Sequence, residues 1–172
     1  MTDMPSDSPL PLPDAFHVQA AVGWLELQNP AEARTELDQL PPAHREHPDV
    51  LEVWWKIFAG EGDWTGALSC AEQLVAAAPE RASAWIDQSY ALHELQRTRE
   101  AFERLSGVAE KFGGHYVIPY NLACYQCRLG NRAEALRWLR RAVQAADAKT
   151  IRAMAMDDPD LALLRDEVLG FV

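Results

Sequence analysis

The sequence predicts an all-α protein built as a solenoid of four stacked helical hairpins, and three observations carry this prediction. Apolar residues recur at helical spacing in segments of about 12–15 residues, and no sustained two-residue alternation indicates a strand. Turn and cap signals separate these segments. Alanines recur at a strict interval of thirty-four positions without an insertion, a period typical of repeat proteins, at Ala33, Ala67, Ala101 and Ala135.

Cap and turn residues divide the chain into alternating first and second helices. A polar side chain at the N-cap accepts a hydrogen bond from an N–H of the first turn. Proline and glycine mark the ends of helices because neither continues a helix well. Candidate N-caps are Asn29, Asp63, Thr98 and Asn131, and candidate stops are Pro41, Pro79 and Gly113.

Each hairpin needs its neighbours, because two short helices cannot bury an apolar stripe alone. The recurring alanines supply the small side chains that a close crossing of two helices requires. After residue 147 the pattern changes, and Asp158-Pro159 reads as the start of a further helix. Leu161, Leu164, Val168 and Phe171 then form one apolar stripe that could close the end of the stack.

These signals give a domain organisation of three parts. Positions 1–13 contain four prolines before any periodic pattern begins, which indicates a disordered arm. The predicted parts are the arm over 1–13, four repeats over 14–47, 48–81, 82–115 and 116–147, and a helical cap over 148–172.

Charge and composition exclude several classes of function. The formal net charge is −10, and residues 1–86 hold 4 basic and 14 acidic side chains. Such a chain repels phosphate backbones and anionic lipid, so neither nucleic acid nor a membrane is expected as a partner. The N-terminus lacks the basic and apolar regions of a signal peptide. With three cysteines and no disulfide framework, we expect a cytoplasmic protein.

The repeat resembles the tetratricopeptide repeat (TPR). The best match is the segment 120–135, Tyr-Asn-Leu-Ala-Cys-Tyr-Gln-Cys-Arg-Leu-Gly-Asn-Arg-Ala-Glu-Ala, with its aromatic-Asn-Leu-small opening, glycine turn and alanine. Gly62, Trp64 and Pro79 match in the second copy, and Trp85 matches in the third. The resemblance covers residues 14–147. It implies a right-handed α-solenoid and a non-enzymatic, scaffold-like or chaperone-like protein that binds other proteins.

One face of each first helix points away from its own hairpin partner. The resemblance implies that this face lines a concave groove that holds a peptide or helix. Its aromatic and aliphatic side chains favour a partner with apolar anchors, and the acidic first half favours basic flanks. The alternative is that these side chains only pack between neighbouring first helices. The candidate binding residues are Glu52, Lys56, Ile86, Tyr90, His93, Tyr120 and Cys124.

A second hypothesis concerns Cys124 and Cys127, which form a C-x-x-C motif that redox and zinc sites also use. A structural zinc requires four ligands, and a redox dithiol usually sits at a helix N-terminus, where the thiol pKa falls. This pair falls within a predicted helix, so we expect two small apolar fillers, without a cofactor or metal. A redox or metal-handling protein remains the alternative function.

Overall fold

The computed structural model describes residues 9–170, and within that range the chain is all helical, which confirms the predicted fold class. The described residues divide into two compact units, with the boundary between Ala91 and Leu92 inside α5. The α-helices of the described range are α1 (Leu12–Glu26), α2 (Pro30–Asp38), α3 (Pro48–Glu61), α4 (Trp64–Ala77), α5 (Ala82–Glu94), α6 (Thr98–Ser106), α7 (Val117–Arg128), α8 (Arg132–Ala145), α9 (Ala148–Asp157) and α10 (Arg165–Leu169).

In the first unit, α1 pairs with α2 and α3 pairs with α4 as antiparallel hairpins. α5 joins the second hairpin through a cluster in which Leu51, Leu74 and Ala84 are buried together. In the second unit, α7 packs on both α6 and α8, and α9 packs on α8. All four periodic alanines have no exposed surface, so the repeat period marks the close contacts inside the hairpins.

The C-terminal cap has three elements, α9, a short 3₁₀ helix (Pro159–Leu164) and α10. The 3₁₀ helix packs on α7, and α10 packs on α9. Ile151, Leu161, Leu164 and Val168 are completely buried. The predicted apolar stripe of the cap therefore faces the interior, except for Phe171, which lies outside the described residues.

Two of the four predicted N-caps act as expected. The side chains of Asn29 and Asp63 accept a backbone N–H in the first turns of α2 and α4. Thr98 instead begins α6, and Arg97 takes the N-cap position. Asn131 holds the N-cap position of α8, but its side-chain amide donates to the Gln126 side chain at 2.7 Å.

The turns inside the hairpins recur with the same period as the alanines. Gly62 and Gly130 have φ of +74° and +82°, and Gln28 and Gln96 hold +57° and +63° at the equivalent places. Glycine adopts this left-handed conformation freely, whereas a residue with a Cβ is strained by about 1–2 kcal/mol. The turns of the first and third hairpins therefore cannot be found by looking for glycine, because glutamine stands at the left-handed position.

The predicted N-terminal arm differs from the structure near its end. Residues 1–8 lie outside the described residues, but Leu10 is only 8% exposed and packs in the core of the first unit. α1 begins at Leu12, with Pro13 in its first turn, where proline is well tolerated. Within the described range, no helix combines the length and apolarity that a membrane crossing requires.

Candidate functional site

A cavity of about 410 Å³ opens between α1 and α3 in the first unit. Leu10, Val18 and Val22 form an apolar side, and Glu52 and Lys56 of α3 form a polar side. The sequence pattern did not single out the α1 residues, although Val18 and Val22 precede Glu52 and Lys56 by one repeat period. Both valines are found when the line of candidate residues on the first helices is continued one repeat period towards the N-terminus.

The acidic side of this cavity already has partners within the chain. Arg81 Nη1 donates to Asp49 Oδ1 at 2.7 Å and to Glu52 Oε1 at 3.1 Å. The Ser83 hydroxyl also donates to Glu52 Oε1, at 3.0 Å. Because the single positive charge of Arg81 offsets one of these two negative charges, the pair offers less negative charge to a basic partner than the sequence suggested.

Asp87 supplies a further carboxyl on the same face. Burial, and then the charge of Glu52, raise the pKa of Asp87 to about 7, while Lys56 opposes the shift. Sequence reasoning missed Asp87 because it stands one residue after the predicted line through Ile86. A partial signal was present, since Gln19, Asp87 and Asn121 are polar at equivalent repeat positions, whereas the second copy has the buried Val53 there.

Tyr90 adds an aromatic side chain one helical turn beyond Asp87. It is 39% exposed. Its ring packs edge-on against Trp64 at 5.6 Å and Trp55 at 6.5 Å between centroids. Ile86 is half-buried nearby on α5. We call the combined surface the unit 1 groove, defined by Val18, Val22, Glu52, Lys56, Ile86, Asp87 and Tyr90.

The three remaining candidates lie in the second unit and are buried beneath the C-terminal cap. Tyr120 donates its hydroxyl to Asp158 Oδ2 at 2.8 Å, and the Cys124 thiol donates to the same oxygen at 3.5 Å. The imidazole Nε2 of His93 lies 2.8 Å from Asp160 Oδ2, which can only accept. The 3₁₀ helix thus covers the face of α7 that the sequence assigned to a partner.

This covering has a physical reason that the repeat pattern could not reveal. Asp158 caps the 3₁₀ helix by accepting from the Asp160 backbone N–H at 2.9 Å, which directs the segment across α7. Leu161 and Leu164 are buried at the same time. The sequence pattern assigns these residues to a terminal cap, but not to a position over Tyr120.

The C-x-x-C pair lies on α7, inside a helix. Burial, followed by the charge of Asp158, raises the pKa of the Cys124 thiol well above its ordinary value. Burial, followed by Asp160, also raises the pKa of the Cys127 thiol. Both effects disfavour the thiolate that redox chemistry and metal binding need. Among residues 9–170, no cluster of three or more His, Cys, Asp or Glu could hold a metal ion.

Comparison with solved structures identifies the fold. A Thermus thermophilus protein described as a thermophilic TPR protein matches with a TM-score of 0.73 and 21% identity, over 91% of this chain and 87% of that chain. The chain has the tetratricopeptide-repeat fold. Pseudomonas aeruginosa PilF matches this TPR fold with a TM-score of 0.73 and 17% identity, over 92% of this chain and 68% of PilF.

MamA AMB-1 also matches, with a TM-score of 0.64 and 18% identity, over 92% of this chain and 87% of that chain. No protein-family profile and no curated protein sequence matches. At these sequence identities the comparison shows the TPR fold alone. The assignment of site residues therefore depends on the geometry of this chain.

Proposed function

We propose that this TPR-fold chain is a non-enzymatic protein-interaction module that holds a peptide or helix of a partner in the unit 1 groove. The observation that carries the proposal is the cavity of about 410 Å³ between α1 and α3, with an apolar wall opposite a charged wall. Sites of this form bind by seating an apolar anchor and orienting it with a few polar groups.

The groove favours a partner segment with an apolar anchor and a basic flank. Val18 and Val22 offer the apolar contact. Asp87 offers a carboxyl that is partly protonated near neutral pH, because its pKa is about 7. A partner lysine or arginine beside Asp87 stabilises the ionised form, so it gains an ion pair when it displaces the proton.

The exposed ring of Tyr90 is the aromatic contact of this surface, and aromatic side chains often dominate binding free energy. Partner binding at His93, Tyr120 and Cys124 requires displacement of the buried cap, so we place the principal contact in the first unit. A scaffold or chaperone role in the cytoplasm completes the proposal, in keeping with three free cysteines.

Site-specific photo-crosslinking tests this proposal in the native cell. A benzoyl-phenylalanine at Lys56, which is exposed in the groove, should form a crosslink to one partner protein. The matched control places the same residue at Arg140, which is exposed on α8 in the second unit. Crosslinking to the same partner from Arg140 but not from Lys56 would contradict the groove assignment.

A further inference from the structure

A second cavity, of about 720 Å³, lies within the second unit and is separate from the proposed groove. It is formed by the turn before α6, the first turns of α6 and the end of α7. Four guanidinium groups and two carboxylates line it together with Leu129. The charged lining residues are Arg97, Arg99, Arg104, Arg128, Glu100 and Glu103.

The guanidinium groups in this cavity outnumber the carboxylates that can neutralise them. Glu100 is shared, since Arg97 Nη2 donates to it at 2.7 Å and Arg104 Nη2 lies 3.9 Å away. Arg128 lies 3.5 Å from Asp160. Among the described residues, Arg99 has no ion-pair partner. The cavity therefore carries excess positive charge, although the whole chain has a net charge of −10.

Exposure leaves Arg99 and Arg104 available to a ligand, whereas Arg97 donates both its Nε and its Nη2 to Glu100. Arg99 is exposed and the side chain of Arg104 is 57% exposed, so neither of these two guanidinium groups is enclosed by protein. A planar guanidinium binds a carboxylate through two parallel hydrogen bonds, which gives direction as well as attraction. Leu129 is half-buried in the same wall and adds an apolar contact.

The hairpin turn contributes one more polar group to the cavity. Gln96 lines the cavity and holds a φ of +63°, where the equivalent turns of the second and fourth hairpins have glycine. Its amide can both donate and accept a hydrogen bond. A residue with a Cβ is strained in this left-handed conformation, whereas glycine adopts it freely.

We propose that this cavity binds a short acidic segment of a partner protein, with carboxylates on Arg99 and Arg104 and an apolar side chain against Leu129. The segment is short because a long polyanion would be repelled by the net charge of the chain. This surface acts independently of the unit 1 groove, which favours basic flanks.

The test uses the full chain and a blocked peptide, acetyl-Glu-Glu-Leu-Glu-Glu-amide, with calorimetric titration at low ionic strength. The peptide should bind the wild type, and its glutamine counterpart should not. Arg99→Glu with Arg104→Glu should weaken binding by about tenfold or more. The control is Arg137→Glu with Arg140→Glu on α8, which changes the net charge equally and should alter affinity by less than about threefold.

Several outcomes would overturn the proposal. These are the absence of peptide binding to the wild type, equal binding of the glutamine peptide, and equal losses in the two double variants. Displacement of the peptide by inorganic phosphate at equimolar concentration would assign the cavity to small anions instead. Circular dichroism checks that the variants fold, and Arg99→Gln with Arg104→Gln should give a smaller loss of affinity in the same direction.

Discussion

Replacing Asp87 by asparagine should stabilise the protein at alkaline pH. The pKa of this carboxyl rises from an ordinary 3.8 to about 7, chiefly through burial. Because the folded state binds the proton more tightly than the unfolded state, stability falls as pH rises from about 4 to about 7 and then levels. A pKa shift of this size corresponds to about 1.4 kcal/mol for each unit. Because Asp87 keeps some contact with water, which screens its charge, we expect the ionised carboxylate to lower the free energy of unfolding by about 2–4 kcal/mol.

Urea denaturation of the wild type and Asp87→Asn at pH 5, 6, 7 and 8.5 measures this effect. The variant should gain about 2–4 kcal/mol relative to the wild type at pH 8.5, and much less at pH 5. Asp38→Asn is the matched control, because Asp38 is an exposed aspartate of the same unit. A stability difference between wild type and Asp87→Asn that is the same at every pH would refute the burial of an ionisable carboxyl here.

Three further predictions concern packing, the cap and the thiols. Ala67→Leu or Ala135→Leu should lower the free energy of unfolding by about 1–3 kcal/mol through overpacking, because both alanines are completely buried; an unchanged denaturant midpoint would contradict this. Removing residues 148–172 should expose apolar surface on α7 and α8 and cause association, seen by light scattering, and a monomer with a normal melt would contradict it. Cys124 and Cys127 should resist alkylation below neutral pH until the protein unfolds, whereas rapid reaction at pH 6 would favour the redox alternative.

The helical architecture could be predicted because the features that define it are local and repeated. The constant interval between buried alanines, from Ala33 to Ala135, fixes where helices cross, independently of the rest of the chain. Caps whose side-chain oxygen accepts a backbone N–H of the first turn, such as Asn29 and Asp63, could also be predicted from the sequence. Thr98 was wrong as a cap because the left-handed turn at Gln96 starts α6 one residue earlier than expected.

The candidate site was less predictable because it depends on contacts distant in sequence. Arg81 compensates Glu52 across 29 residues, and Asp158 reaches Tyr120 across 38 residues. Neither pairing recurs with the repeat period, so neither can be predicted from the sequence pattern. The polar character of Asp87 is visible in the sequence, but its raised pKa is not. That pKa depends on burial beside Glu52, which arises only when α5 packs against α3.

The affinity of the crosslinked partner for groove variants tests the central proposal most directly. Val22→Lys places a charge in the apolar side of the cavity between α1 and α3, and it should weaken the complex by about tenfold or more. Arg140→Glu, in the second unit, should leave the dissociation constant within about threefold of the wild type. Unchanged affinity in Val22→Lys, measured on protein with a wild-type circular dichroism spectrum, would contradict binding in the unit 1 groove.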